Sequence, residues 1–261
     1  MISQVSSPKK LRIAVTFLGP LRPRLDVERL EPWQSNFFDI ENLAAIDELS
    51  LPEPGCGRTN YSDDDLDELI AKPDDYDILV AIIDAPLEDE YYMRRLKGNR
   101  VVISVYDIAP LLIQHGYSFN AFVYRNLYQL LVAFHASSNS LPPTTKEKLA
   151  HTPTRGCLFD WNDNKQDILN SLDHPSVCRV CEERYVKGGP LASHMSELRS
   201  ELYRIQRPVH VRGLEWLNRK IARHPWLTLG VAILSGIALN LVASYLFEWL
   251  KLLLILPSEA G

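Results

Sequence analysis

Residues 77–83 (DILVAII) and 100–106 (RVVISVY) decide the class of fold. Each is a continuous apolar run, rich in β-branched residues and bounded by turn formers. A strand with one wet face alternates apolar and polar residues. A strand without alternation is covered on both faces, as in an α/β arrangement. Residues 11–18 (LRIAVTFL) form a third such run after a basic start. Between the first two runs, Glu88–Leu96 reads as a hairpin arm or a short helix. Residues 19–75 are less regular, with Pro20, Pro23, Pro32, Pro52 and Pro54 and an acidic run at Asp63–Asp65. Within them Asp64–Ala71 reads as a helix with Leu66, Leu69 and Ile70 on one side. Downstream, Ser118–Ala136 (SFNAFVYRNLYQLLVAFHA) is a strong helix that Ser118 or Asn120 can cap. Phe122, Leu127, Leu130, Leu131 and Phe134 give it a broad apolar face.

The chain has 261 residues, a formal net charge of −5 and 46% hydrophobic residues. Without its apolar tail, about 190 residues remain, enough for one domain with a real core. Mild acidity argues against non-specific nucleic-acid binding. The N-terminus, MISQVSSPKKLRIAV, has too short an apolar run for a signal peptide.

Trp226–Phe247 (WLTLGVAILSGIALNLVASYLF) carries no charge. A helix of that length rises roughly 33 Å, enough to cross a bilayer core. The alternative is a buried hairpin helix of a soluble protein. Arg199, Arg204, Arg207, Arg212, Arg219, Lys220 and Arg223 precede the span against Glu201 and Glu215, and only Lys251 is basic beyond it. The positive-inside rule then gives a single-pass protein of the bacterial inner membrane with its head in the cytoplasm. The same basic run, including a helix at Val211–Arg223, would meet anionic lipid. Glu248 and Lys251 mark the far interface, with Trp226 and Trp249 as aromatic belts. Ala232, Gly236, Asn240 and Ser244 recur every four residues on one stripe, the pattern of a packed helix pair. A homo-oligomer is expected, with Leu191, Met195, Leu198, Leu202 and Ile205 of a heptad-like helix adding to it.

The sharpest chemical signal is the spacing H-x5-C-x20-C-x2-C formed by His151, Cys157, Cys178 and Cys181. Ligands two residues apart form a tight knuckle, and a second pair from a distant loop completes a tetrahedron. Three thiolates and an imidazole suit one zinc ion. Closed on four sides, such a site is structural. Arg155 and Arg179 stand beside the ligands and could stabilise the thiolates. Two alternatives stay open: a redox pair of Cys178 and Cys181 beside a merely buried Cys157, or His174 as the histidine ligand. Reduced cysteines suit cytosol. Cys56 reads as a free thiol.

These readings give an α/β (α+β) soluble head with a small zinc-bound subdomain, then helices and one C-terminal transmembrane helix. The expected boundaries are residues 1–143 for the α/β domain, 144–190 for the zinc-binding part, 191–224 for a juxtamembrane linker, 225–247 for the span and 248–261 for a short tail.

A strand ending in Asp84-Ala-Pro-Leu87, the run VVISVY taken as an edge strand, a long helix and a cysteine cluster ending in CxxC resemble the archaemetzincin-like zincins, over roughly residues 77–181. TRGCLFD matches the family's first cysteine segment and CRVC its last, with His151 standing in for a cysteine. The resemblance implies a structural zinc at the cysteine cluster. It also implies a catalytic zinc held by HExxH on the long helix. That helix reads FVYRNLYQLL from Phe122. It lacks the two imidazoles and the carboxylate that such chemistry needs. His115 and His135 flank it too far apart to replace them. The expectation is a degraded zincin without catalytic residues. Arg125 and Asn126 are candidates to line its cleft and bind an anion or a peptide end; a solvated face or an ion pair with Asp84 or Asp107 is the plainer reading. Tyr91, Tyr92, Arg94 and Arg95 could stack on and hold a nucleotide, or be ordinary residues of a hairpin arm.

Three functions follow. The first is a membrane-anchored, zinc-stabilised, non-catalytic sensor, effector or scaffold that answers a protein or small-molecule signal, as in antiviral bacterial defence. The second is a membrane-tethered metallopeptidase. The third is a thiol redox protein.

Overall fold

Five strands make one sheet: β1 (Leu11–Leu18), β2 (Phe38–Asn42), β3 (Ile78–Ile83), β4 (Met93–Arg95) and β5 (Arg100–Ser104), in the order β2-β1-β3-β5-β4. All neighbours are parallel except β4, which runs antiparallel to β5. The computed structural model describes residues 9–22, 30, 32–46, 49, 60–70, 75–206, 213, 220, 221 and 223–255. The chain divides into two compact units, Met1–Gln206 and Arg207–Gly261.

The strands without alternation are covered on both faces. Ile13, Val15, Ile78, Val80, Ile82, Val101 and Ile103 belong to one core with the long helix α3 (Phe119–Ala136). Their neighbours in the chain, Ala14, Leu79, Ala81, Ile83 and Val102, belong to a second core with Leu66 of helix α1 (Asp63–Leu69). Successive strand residues point to opposite faces, so two covered faces require two interleaved apolar sets. Helix α1 starts at a capping box, in which Ser62 N–H donates to Asp65 Oδ2 at 2.8 Å and Asp65 N–H to Ser62 Oγ at 3.3 Å. Asp63, Asp64 and Asp65 lie where the helix dipole favours anions.

The VVISV run is not the sheet edge. The short strand β4 covers it, and the Glu88–Leu96 segment supplies that strand behind a single turn of 3-10 helix at Glu88–Glu90. The outward backbone groups of Arg95 do not stay open. Its N–H donates to Thr144 Oγ1 at 2.8 Å, and its carbonyl accepts from Thr144 N–H at 2.9 Å. At the opposite edge β2 has only Phe38 fully buried, so its sequence, FDIEN, carries little strand signal. Helix α2 (Ile108–His115) contains Pro110 in its first turn, where a proline costs no hydrogen bond, and ends at Gly116 with φ 63°. Cys56 lies outside the described residues, as does most of Val211–Arg223.

After α3, the short helices α4 (Ile168–Asp173) and α5 (Arg179–Cys181) flank the cysteine segments, and a π-turn at Glu182–Val186 leads towards α6 (Met195–Ile205). Leu158, Phe159, Leu172 and Val186 share the core of α3. The heptad-like face before and along α6 is turned inward as well. Leu191, Met195, Leu198, Leu202 and Ile205 are all buried in that core. They are therefore spent on the fold and do not support self-association.

A polar network ties α6 to the N-terminal half. Glu201 is buried and accepts from the Tyr128 hydroxyl, from Ser35 Oγ at 2.7 Å and from Asn36 N–H at 2.7 Å. Trp33 Nε1 donates to Tyr128 at 2.9 Å, and its ring stacks on Tyr124 at 4.6 Å. Burial and the Glu201 hydrogen bond raise the Tyr128 phenol above its usual value. Buried polar groups are tolerated because every partner is in place. Tyr128→Phe removes one donor from the carboxylate and one acceptor from the indole. It should cost about 1–3 kcal/mol, read as a lowered midpoint in chemical denaturation, with zinc content unchanged.

In the second unit, helix α7 runs from Pro225 to Ile255. Its stretch Leu229–Lys251 is long and apolar enough to cross a membrane, and none of that window is buried. Glu248 and Lys251 lie within the helix, which continues past them.

Candidate metal centre

The cysteine segments are held by backbone pairing before any metal is considered. His151 N–H donates to the Phe159 carbonyl at 2.8 Å, and the His151 carbonyl accepts from Trp161 N–H at 2.8 Å. This closes 151–161 into a narrow loop. Leu158 N–H then bonds the Ser176 carbonyl at 2.8 Å, which brings the second segment alongside. The turn at Gly156 has φ +79°, and a Cβ there would meet the backbone carbonyls of Asn170 at 3.3 Å and His174 at 3.4 Å. Only glycine fits. Cys178 precedes α5 and Cys181 ends it, so the CxxC knuckle opens a helical turn.

The ligand atoms of His151, Cys157, Cys178 and Cys181 lie within 4.8 Å of one another. Cys178 Sγ is 3.4 Å from His151 Nε2. Cys157 and Cys181 are buried, His151 and Cys178 partly so. Among the described residues no other group of His, Cys, Asp or Glu is gathered for a metal. Three sulfurs and one imidazole nitrogen suit zinc, and four ligands close its shell. The cluster can hold one zinc ion. His174 stands outside it and contributes its carbonyl to the wall around Gly156.

The Cys157 thiolate is stabilised first by the neighbouring Cys181 thiol and then by backbone N–H groups, and Arg179 takes no part. A hydrogen bond from the Cys181 thiol, with N–H donation from Cys178 at 3.3 Å and Phe159 at 3.4 Å, lowers Cys157 below the usual thiol value. The same sharing raises Cys181. Arg179 instead pairs with Glu183 at 3.2 Å, and its side chain is 91% exposed. Asp160, which sequence reasoning missed, braces the loop. Its Oδ2 accepts from Arg155 N–H at 2.7 Å and Cys157 N–H at 2.9 Å, and its Oδ1 faces His151 Nε2 at 3.7 Å.

Arg125 is the keystone of this arrangement and not a cleft residue. Its side chain is 0% exposed. Nε donates to Ser171 Oγ at 3.0 Å, Nη1 to Asn126 Oδ1 at 2.9 Å and Gln129 Oε1 at 2.5 Å, and Nη2 to the Leu158 carbonyl at 2.7 Å and the Cys157 carbonyl at 3.3 Å. Asn126, also fully buried, returns its Nδ2 to the Phe122 carbonyl at 2.9 Å. Neither residue offers a free group to an anion or a peptide end, and neither pairs with Asp84 or Asp107. Asp84 pairs with Arg22, and Asp107 with Lys165.

A cleft does lie nearby. A cavity of about 630 Å³ opens between β4, Gln129 of α3 and the loop after Cys157, with Tyr91, Tyr92, Arg95, Trp161 and Asn162 in its walls. Of the suspected nucleotide-holding set, Arg94 is committed elsewhere, paired with Asp63 at 2.7 Å. His115 and His135 end α2 and α3 and join no metal cluster; burial lowers His135.

The fold is similar to that of archaemetzincins. One solved relative in fold is the archaemetzincin of Methanopyrus kandleri, 18% identical, with a TM-score of 0.45 over 67% of this chain and 94% of that one. Another is the archaemetzincin of Archaeoglobus fulgidus complexed with malonate, 14% identical, with a TM-score of 0.42 over 67% of this chain and 99% of that one. No protein-family model and no curated relative matches the chain. The likeness concerns the fold alone.

Replacing Arg125 by methionine should strip the Cys157 and Leu158 carbonyls of their charged donor. A hydrogen bond to a charged group contributes about 1.5–3 kcal/mol, and at least two are lost. The expected outcome is a fall in stability of about 3 kcal/mol or more, with zinc released to a chelator faster than from the wild type.

Proposed function

We propose that the protein is a zinc-stabilised, non-catalytic binding head carried on a membrane by α7. One observation carries the reading. The side of α3 that faces the cysteine loop is filled by a fully buried guanidinium bonded to Gln129 one turn later. Hydrolytic metal chemistry needs neutral imidazoles there and a carboxylate to activate water. A permanent cation with its N–H groups committed to protein acceptors opposes a divalent ion at that place. The remaining metal set, at the cysteines, is closed and leaves no position for substrate.

Sensor, effector or scaffold roles for such a head rest on analogy with bacterial defence proteins built as small heads on single helices. The basic residues before α7 support a cytoplasmic head by the positive-inside rule. Self-association rests on the stripe of Ala232, Gly236, Asn240 and Ser244 alone, now that the α6 face is accounted for. In the helix, Ser244 Oγ donates to the Asn240 carbonyl at 2.9 Å, so its hydroxyl is satisfied without a neighbour. Asn240 keeps the role of a bond across a helix pair.

Metal analysis of the full chain tests the head. We expect one zinc per chain, lost together with the folded state in Cys178→Ser. Two metals per chain would restore the peptidase reading. A metal-free protein with a reversible Cys178–Cys181 disulfide would replace it with the redox reading. For the tail, Gly236→Leu and Asn240→Leu should each shift a cross-linked oligomer in detergent towards monomer; an unchanged ladder would sink the stripe.

A further inference from the structure

The cavity beside the metal centre combines aromatic rings with acid. Tyr91, Tyr92 and Trp161 line it, each partly exposed, and Tyr91 and Trp161 meet edge to face at 5.5 Å. A cation already uses this surface. Lys148 Nζ lies 5.5 Å from the centre of the Trp161 ring. Among the described residues that ammonium makes no ion pair and no hydrogen bond, so the ring is what it rests on. Lys148 is exposed and belongs to an irregular stretch, so its side chain is free to leave. The ring it covers is a preformed seat for a positive charge.

The charge of the lining selects the sign of the guest. Asp107 and Lys165 both line the cavity and pair with each other. Asp89, Glu90, Asp160 and Asp163 then stand against Arg95 and Lys148. Arg95 is 5% exposed and donates inward, to the Glu147 carbonyl at 2.5 Å. Asp89 shares the Arg94 guanidinium with Asp63 and Glu88, so it keeps most of its charge. Once Lys148 swings out, the exposed charges left beside the Asp107–Lys165 pair are all negative: Asp89, Glu90 and Asp163. Such a field attracts a cation and repels a carboxylate or a phosphate. A lysine ammonium is compact and strongly hydrated, so Lys148 loses little on returning to water. An alkylated ammonium has less hydration to lose and gains more on an aromatic face. A volume of about 630 Å³ fits a small organic molecule.

We propose that this cleft binds a small organic ammonium ion, which displaces Lys148 from Trp161. The cationic group sits on the Trp161 face beside Tyr91, in the field of Asp89, Glu90 and Asp163. The proposal deepens the reading of the head as a binding module and rests on it.

Titration calorimetry on the full chain in a maltoside detergent tests it with choline as the probe. Saturable binding is expected. The uncharged isostere of choline, with a tert-butyl group in place of the trimethylammonium, should bind about tenfold more weakly. Phosphocholine carries the same ammonium behind a phosphate and separates a free ammonium ion from a lipid headgroup; the acidic lining should weaken it. Trp161→Leu should weaken choline about tenfold. Lys148→Met should strengthen it about twofold or more, because the internal competitor and its like charge are gone. A damaged cleft cannot bind more tightly, so Lys148→Met keeps the test decisive if Trp161→Leu does not fold. Equal binding of the isostere, phosphocholine or adenosine monophosphate at least as tight as choline, no saturable heat with millimolar probe, or a Lys148→Met variant no tighter than the wild type would each overturn the proposal. Zinc content measured on the same samples separates failure of this site from failure of the non-catalytic reading.

Discussion

A single buried cation organises the head. The Arg125 guanidinium reaches out from the middle of the most buried helix and takes the carbonyls of Cys157 and Leu158, the hydroxyl of Ser171 and the amides of Asn126 and Gln129. None of these acceptors is a carboxylate. A charge removed from water is tolerable only when its hydrogen bonds are remade inside, and here they are remade by neutral groups from four segments of chain, the Tyr92 hydroxyl at 3.3 Å supplying the fourth. This makes the first cysteine segment an extension of α3. The loop that carries Cys157 can hardly move without stranding the charge, so one corner of the metal site is positioned from the core side. The second corner is positioned from the backbone side, through Ser176 and the turn at Gly156.

The same economy explains how the head closes at its other end. Glu201 on α6 collects donors from Ser35, Asn36 and Tyr128, residues more than 70 positions away in sequence. Arg204, one turn on, lies over the Trp33 ring at 4.5 Å and donates to the Gln34 carbonyl at 3.0 Å. Polar groups thus fix where α6 sits, and the apolar face of Leu198 and Leu202 supplies the burial that holds it there. Burial is the non-directional part of that bargain and hydrogen bonding the directional part.

Much of this was legible in the sequence for physical reasons. Unbroken apolar runs reveal strands covered twice, so β1, β3 and β5 stood out; a four-ligand spacing is specific, so the metal cluster did too. What stayed hidden had weak local signals. Strand β2 buries one residue in five, and β4, three residues long with two arginines in it, showed only as a hairpin arm or a short helix. The role of Arg125 was misread because an arginine on a helix is usually at the surface, and only tertiary contacts show that its charge is inside. The apolar face of α6 is equally compatible with a partner helix or with the protein's own core; periodicity alone cannot tell one cover from the other. Asp160 sits in plain view three residues after Cys157, but a lone aspartate in a loop has no pattern to mark it.

The pairing of Thr144 with Arg95 has a consequence for solubility. A parallel sheet that ends in an antiparallel edge exposes a row of amide and carbonyl groups on which another chain can polymerise. Here both outward groups of Arg95 are occupied by one threonine from the connection after α3. The edge is stoppered at Arg95 by the hydroxyl and the N–H of Thr144. A second copy, or an unfolded chain, finds too few free groups in register there to continue the sheet. Protection from fibre-like growth is in this way built into a three-residue strand that contributes little else to the core.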